Sequence, residues 1–233
     1  MSEKFGKTDD ELATMPLTFR DGLFAGQVVL VSGAGRGIGK AIAFQFARLG
    51  AKLVLCGRDV ERLEAVAGSL SRLGAEVLAH PMSIRDPDAV ARLFDAVAGR
   101  FTTIDVLVNN AGGQFPQAAI DFAPKGWSAV IETNLTGTWY MMQQAARRWR
   151  DAGRDGRIVN IVAVTTRGMP GVAHTAAARA GVVALSKTVA IEWAPLGIQI
   201  NCVAPGIIAT EGMNVYSEAA REALPKTNLV RRI

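Results

Sequence analysis

The sequence predicts an α/β fold: a single doubly wound parallel sheet with helices on both faces. Three observations predict it. From Gln27 onward, short and mostly apolar runs alternate with amphipathic helical stretches. The runs are too uniformly apolar for a half-exposed sheet and suit strands covered on both sides. A glycine-dense turn, Ser32-Gly33-Ala34-Gly35-Arg36-Gly37-Ile38-Gly39, joins the first run to the first helical pattern.

Taken in order, the first strand is expected over 28–31, all valine and leucine, and the glycine turn opens a helix over 40–49. A second strand over 52–56 feeds a helix over 61–73, and a third over 76–80 feeds a helix over 87–100. The fourth, over 106–108, leads to one long helix over 127–151, and the fifth, over 157–162, to a helix over 176–194. The sixth covers 199–203. Right-handed crossovers between parallel strands then place helices on both faces. Residues 1–22 lack a period and read as an N-terminal arm, while 23–233 read as one dinucleotide-binding domain.

Composition removes several function classes. The chain has 233 residues, 49% of them hydrophobic, so disorder is excluded. No apolar stretch is long enough to span a bilayer, and no signal layout opens the chain, so a cytoplasmic location without membrane attachment is expected. The net charge of +5 is spread out, with clusters only at Arg147, Arg148 and Arg150 and at Arg231-Arg232, which argues against nucleic acid as a partner. Cys56 and Cys202 lie in strand-like runs and read as core residues of a reducing compartment. His80 and His174 share no ligand spacing with them, so no metal site is expected.

The glycine turn gathers free backbone N–H groups at a helix N-terminus, which suits a pyrophosphate. Strand two ends at Gly57-Arg58, where a site for an unphosphorylated adenosine ribose carries an acid. Arg58 can clamp a 2′-phosphate, Arg36 adds a second cation, and NADP is the expected cofactor. A solvated arginine after a strand is the plainer reading of Arg58, though it leaves the missing acid unexplained. Val108-Asn109-Asn110-Ala111-Gly112 follows strand four, and its small residues permit close approach to a cofactor.

Together these pieces resemble the short-chain dehydrogenase/reductase family, a Rossmann-fold family, from about Leu23 to Thr210. The glycine turn is similar to its TGxxxGIG motif, with Ser32 in place of threonine, and Asn110-Ala111-Gly112 completes its NNAG. Asn134 falls at its helix asparagine. Pro205-Gly206-Ile207-Ile208-Ala209-Thr210 resembles its PGxIxT, whose threonine meets the nicotinamide amide. The resemblance implies cofactor contacts from Ser32, Gly33, Arg36, Gly37, Ile38, Gly39, Asn110, Ala111, Gly112, Pro205, Gly206, Ile208 and Thr210. Ser83, after strand three, stands where the family often has an adenine-contacting aspartate. The family's long helices also pack across two-folds, which implies a homodimer or homotetramer.

The catalytic positions depart from that pattern. The family's serine place is Ala163, with Thr165 and Thr166 near it in sequence as alternative stand-ins for the serine, and its YxxxK place is Thr175-Ala176-Ala177-Ala178-Arg179. A narrower resemblance covers the departure. Gly112-Gly113-Gln114-Phe115, Lys125-Gly126-Trp127, Glu132 to Thr138 and His174 to Val182 are similar to the peroxisomal trans-2-enoyl-CoA reductase subfamily. Its bacterial relatives act in fatty-acyl and citronellol-type breakdown, and it too carries a small hydroxyl residue and an arginine at the YxxxK place. The implied activity is NADPH-dependent reduction of a conjugated double bond in an acyl-CoA-like thioester.

Chemistry agrees with that implication. Ketone reduction produces an alkoxide and needs an acid matched to neutral pH, which neither a threonine nor a guanidinium supplies. Enoyl thioester reduction asks mainly for a hydrogen bond to a developing oxyanion. Thr175 is the candidate donor, Arg179 takes the ribose-holding role of the absent lysine, and Asn134 orders a proton-giving water. Plainer readings stand beside these: Thr175 as a helix N-cap, Arg179 in a salt bridge, Asn134 as a structural helix residue. Gln114 and Phe115 are candidates for a substrate wall. Tyr140, beside Trp139 and Met141, reads as core. A catalytically impaired nucleotide-binding protein and a carbonyl or alcohol dehydrogenase are the alternative functions. The family continues beyond the point where this chain stops, so a missing C-terminal strand and a bare sixth strand are expected.

Overall fold

Six apolar runs find partners on both sides or on one, and their pairing sets the architecture. The computed structural model describes residues 5–223. Arg231-Arg232 and the end of the expected substrate loop, residues 224–229, lie outside the described residues. The strands are β1 (Val28–Ser32), β2 (Lys52–Gly57), β3 (Val77–Pro81), β4 (Val106–Asn109), β5 (Gly156–Ile161) and β6 (Ile198–Val203). All neighbours are parallel, in the order β3-β2-β1-β4-β5-β6. The order reverses between β1 and β4, so the crevice beyond their carboxyl ends is the switch point where ligands bind in such sheets.

The helices are α1 (Asp9–Thr14), α2 (Gly37–Arg48), α3 (Val60–Arg72), α4 (Pro87–Phe101), α5 (Pro124–Ile131), α6 (Gly137–Asp151), α7 (Ala173–Trp193) and α8 (Glu218–Ala223). One face of the sheet buries Leu30, Val54 and Leu107 under Phe94, Met141, Met142 and Trp149. The other buries Val29, Val31, Leu53 and Leu55 under Phe44, Leu63, Val66 and Leu70. Alternate residues of β1 thus serve opposite cores, which explains why its run is apolar throughout. Among the described residues, β6 pairs only with β5, and its last positions are exposed. No helix among the described residues is long and apolar enough to cross a membrane.

Four expectations need correction. The helix expected from Lys40 begins at Gly37, because the turn's own glycines form its first turn. The single helix expected over 127–151 is α5 and α6 joined by a π-helical turn, Glu132–Thr136. Both α-helical segments carry the same apolar period, so periodicity alone cannot reveal the wider turn between them. Helix α7 begins at Ala173, so Thr175 lies in its first turn and is not its cap; Val172 is. Cys56 is buried, and burial pushes its thiol up to about 12, but Cys202 is exposed on the edge strand.

The segment read as an arm contains α1, held by a capping box in which Thr8 and Glu11 satisfy each other's backbone. Leu12 is buried, Arg48 Nη1 donates to its carbonyl at 3.0 Å, and Asp9 pairs with Lys40 at 3.1 Å.

Candidate active site

The glycine turn is fastened to the loop after β4 by side chains that point inward. Ser32 Oγ accepts from the N–H groups of Asn110 (3.1 Å) and Ala111 (3.0 Å). Asn110 Nδ2 donates to the carbonyls of Ser32 (3.0 Å) and Gly33 (3.2 Å). Both side chains act as a latch, so what they lend a cofactor is the placement of the backbone around them. A Cβ on Gly39 would collide with the Gly33 carbonyl and the Asn110 amide, which fixes glycine there. One layer deeper, Asn109 Nδ2 donates to Asn160 Oδ1 at 2.9 Å, and Asn160 Nδ2 donates to Ser186 Oγ at 2.9 Å, tying β4, β5 and α7 together.

At the adenosine end, Arg58 is exposed just beyond β2, and Arg36 is exposed at the N-cap of α2. A third arginine joins them: a Cβ on Gly35 would lie 3.3 Å from Arg62 Cβ. Asp59 is the nearest acid in sequence to the ribose position. It caps α3 by accepting from Arg62 N at 3.1 Å, and it pairs with Arg62 Nε at 3.1 Å. The balance at this mouth is cationic. Ser83 is half-buried and accepts from Arg85 N at 3.3 Å. Arg62 escaped the sequence reading because only the fold brings α3 against the glycine turn.

The loop after β6 folds onto the same turn. A Cβ on Gly37 would lie 3.5 Å from Thr210 Cβ, and the Gly37 N–H donates to Glu211 Oε2 at 3.2 Å. A carboxylate thus rests on the first amide of α2, where a pyrophosphate would be received. Pro205, Ile208 and Thr210 also wall a cavity of about 420 Å³ behind the turn, together with Leu12, Ile38 and Phe46. That cavity includes neither Thr175 nor Arg179. Gly206 is exposed between these walls.

The reaction end is built by α7 and the loop after β4. Thr175 and Arg179, one helical turn apart, share a buried face. Arg179 is 8% exposed and, among the described residues, makes no salt bridge and keeps Nη1 buried without a partner. Burial pulls its guanidinium down to about 10, so it remains charged at neutral pH. It lies against Gly112, where any Cβ would collide with Nη2. A buried, unpaired cation is costly unless something anionic or hydrogen-bonding completes it. Among the described residues, no carboxylate meets Arg179 as the salt-bridge reading would require.

Asn134 is buried in the π turn and clamps Gly113 in both directions. Gly113 N donates to its Oδ1 at 2.9 Å, and its Nδ2 donates to the Gly113 carbonyl at 3.0 Å. These bonds favour a structural role for Asn134 over the ordering of a water. Thr175 Oγ1 lies 3.3 Å from His174 Nδ1, which also receives the Thr175 N–H at 2.7 Å. Since Nδ1 accepts that N–H, the Thr175 hydroxyl hydrogen is the one they share, and the long contact leaves it free to turn to another acceptor. His174 is fully buried, packed 4.6 Å from Phe115 and 4.5 Å from Phe122, centroid to centroid. Burial holds its pKa below the ordinary histidine value, against an opposing pull from the carbonyls of Val172 and Phe115. With Trp127, 6.4 Å from Phe122, these rings form an apolar wall beside Thr175. Gln114 Nε2 donates to Tyr216 OH, bridging this loop to the segment after Thr210. Tyr140 packs against the core.

Replacing Glu211 by glutamine is expected to tighten NADPH binding about 5- to 10-fold at low ionic strength, because a competing charge leaves the Gly37 amide. The gain is expected to vanish in about 0.5 M salt. Fluorescence titration of NADPH measures both, and an unchanged dissociation constant at low salt would contradict the competition.

The chain is similar to known proteins over most of its length. Residues 27–221 match the short chain dehydrogenase family. A probable 2,4-dienoyl-CoA reductase of Bacillus subtilis is 38% identical over 188 residues, covering 80% of this chain and 74% of that protein. A 3-oxoacyl-[acyl-carrier-protein] reductase of Synechocystis is 40% identical over 202 residues, covering 85% and 81%. Among solved structures, a citronellol catabolism dehydrogenase of Pseudomonas aeruginosa superposes with a TM-score of 0.79 at 39% identity, covering 90% and 83%.

Proposed function

The chain belongs to the short-chain dehydrogenase family of NAD(P)-binding oxidoreductases, and from that membership we propose that it reduces the conjugated double bond of an enoyl- or dienoyl-CoA-type thioester with NADPH. One observation carries the proposal: Thr175 and Arg179 lie buried one turn apart on α7, at the positions that the motif resemblance aligns with the family's phenol and ammonium. A hydroxyl and an unpaired guanidinium suit oxyanion stabilisation and ribose holding, and they do not suit protonation of an alkoxide. The B. subtilis relative's name points the same way, and the aromatic wall of Phe115, Phe122 and Trp127 offers an acyl chain an apolar lining.

The residues fit the cofactor. The Gly37 N–H already donates to a carboxylate, and Arg179 Nη1 has an N–H to give. Gly37, Ile38 and the Thr210 segment would hold the pyrophosphate and nicotinamide, Arg36, Arg58 and Arg62 the 2′-phosphate, and Arg179 the nicotinamide ribose. A reduced nicotinamide held there would supply hydride chemistry toward Cβ of the substrate. Thr175 would donate its hydroxyl hydrogen bond to the thioester oxygen as negative charge gathers on it, letting go of His174. Neutral His174 keeps the threonine backbone in place from the apolar side.

The Synechocystis relative favours a second reading, reduction of a 3-oxoacyl thioester. NADPH oxidation assayed with crotonyl-CoA, a longer enoyl-CoA, a dienoyl-CoA, acetoacetyl-CoA and a simple ketone separates the readings. Turnover of the unsaturated thioesters alone is expected. Turnover of acetoacetyl-CoA in their place supports the ketone reading, and NADPH binding without any turnover supports a catalytically impaired protein. NADH in the same assay is expected to serve at least tenfold less well, through loss of the arginine–phosphate contacts. The same reading keeps a homodimer or homotetramer as its expected assembly.

A further inference from the structure

Enoyl reduction leaves one need that Thr175 and Arg179 do not meet: the enolate must receive a proton at Cα. Thr175 is too weak an acid, and a guanidinium stays charged. Asn134 spends its amide on Gly113. His174 lies fully buried between two phenylalanine rings.

The chain has two tyrosines. Tyr140 is part of the packing around Met141 and Trp149. Tyr216 is half-buried and follows the short 3-10 turn Glu211–Val215. The segment that carries it starts on the glycine turn, where Thr210 and Glu211 meet Gly37, and ends at Gln114. It therefore crosses the switch-point crevice from the pyrophosphate end to the loop that packs on α7. Gln114 sits between Gly113, which Asn134 clamps, and Phe115, which packs on His174 beside Thr175. Gln114 Nε2 is the donor to the phenol oxygen, so the phenol keeps its own hydrogen to give.

We propose that Tyr216 is the catalytic proton donor to the enolate, a phenol delivered from the loop after β6 in place of the one absent from α7. The inference rests on the enoyl-thioester reading above. The Tyr216 O–H bond breaks and a C–H bond forms at Cα, using the enolate's electron pair. The O–H electron pair stays on the phenolate oxygen, which the Gln114 amide continues to bond and which water reprotonates. NADPH is the reductant, the Cα–Cβ double bond is reduced, and charge balances over the cycle.

Tyr216→Phe tests this with crotonyl-CoA in H2O and D2O. Expected is a fall in kcat of at least about tenfold, with NADPH affinity by fluorescence titration unchanged, which also shows that the variant is folded. Water then protonates the enolate, so the butyryl product made in D2O changes from one Cα configuration to a mixture, read by NMR. Gln114→Leu keeps the phenol and is expected to lower kcat less while preserving a single configuration. If Tyr216→Phe holds kcat within twofold and still deuterates one face, the assignment to Tyr216 is overturned and the enoyl reading stands. If the wild-type protein turns over no unsaturated thioester, the functional reading falls first and takes this assignment with it.

Discussion

Thr175→Val is expected to lower kcat for an enoyl thioester about 10²-fold while leaving the NADPH dissociation constant within about twofold. Valine matches threonine in shape, so the first turn of α7 and its packing on His174 persist. What is lost, on the proposed role of Thr175, is the one hydrogen offered to the oxygen on which charge gathers. Removal of such a donor typically costs on the order of 10²–10³ in rate because the site has excluded the water that would replace it. Thr175→Ser restores the hydroxyl and is expected to recover activity to within about tenfold of the wild type. Steady-state kinetics on the three proteins decide the matter. A valine variant as fast as the wild type would remove Thr175 from the chemistry altogether.

Arg179→Met separates stability from binding and is expected to move them in opposite directions. In the unliganded protein a charged guanidinium is held 8% exposed with one nitrogen unpartnered. Its pKa in the folded chain, about 10, lies below the ordinary guanidinium value, so folding disfavours the charged form. That penalty is present in full below about pH 10 and fades as pH rises toward the ordinary guanidinium range. Methionine keeps much of the apolar stem and removes the charge. The unliganded variant is expected to be more stable by about 1 kcal/mol, raising Tm by about 2–4 °C in a chain of this size. Binding should suffer in exchange. Loss of a charged hydrogen bond to the nicotinamide ribose is expected to weaken NADPH about 10- to 100-fold. Calorimetry and fluorescence titration on one sample measure both. A variant that loses stability and keeps its affinity for NADPH would show that Arg179 serves packing alone.

The sheet was legible because its central strands are short apolar runs that serve two cores at once, as Val28 to Val31 do. The glycine turn was legible because its residues act through backbone, which local sequence dictates. Side chains that act across the fold were harder to read. Arg62, His174, Glu211 and Tyr216 owe their places to α3, to the aromatic pair Phe115–Phe122, to Gly37 and to Gln114, and no local pattern announces such pairings. One missed feature did have a signal: Thr8 and Glu11 stand at capping-box spacing and mark the start of α1. Asn134 was placed correctly on a helix, yet its water-ordering role was expected from position, and its two bonds to Gly113 came from the fold.

The π turn at Glu132–Thr136 holds one residue more than an α-helical path would need. Deleting that surplus residue would heal the rod and swing everything downstream by roughly 100° about its axis. Met141 and Met142 would then leave the sheet, or Asn134 would leave Gly113. A helix that looks imperfect is thus the gearing by which one length of chain satisfies two mismatched demands, an oily floor below and a backbone grip above.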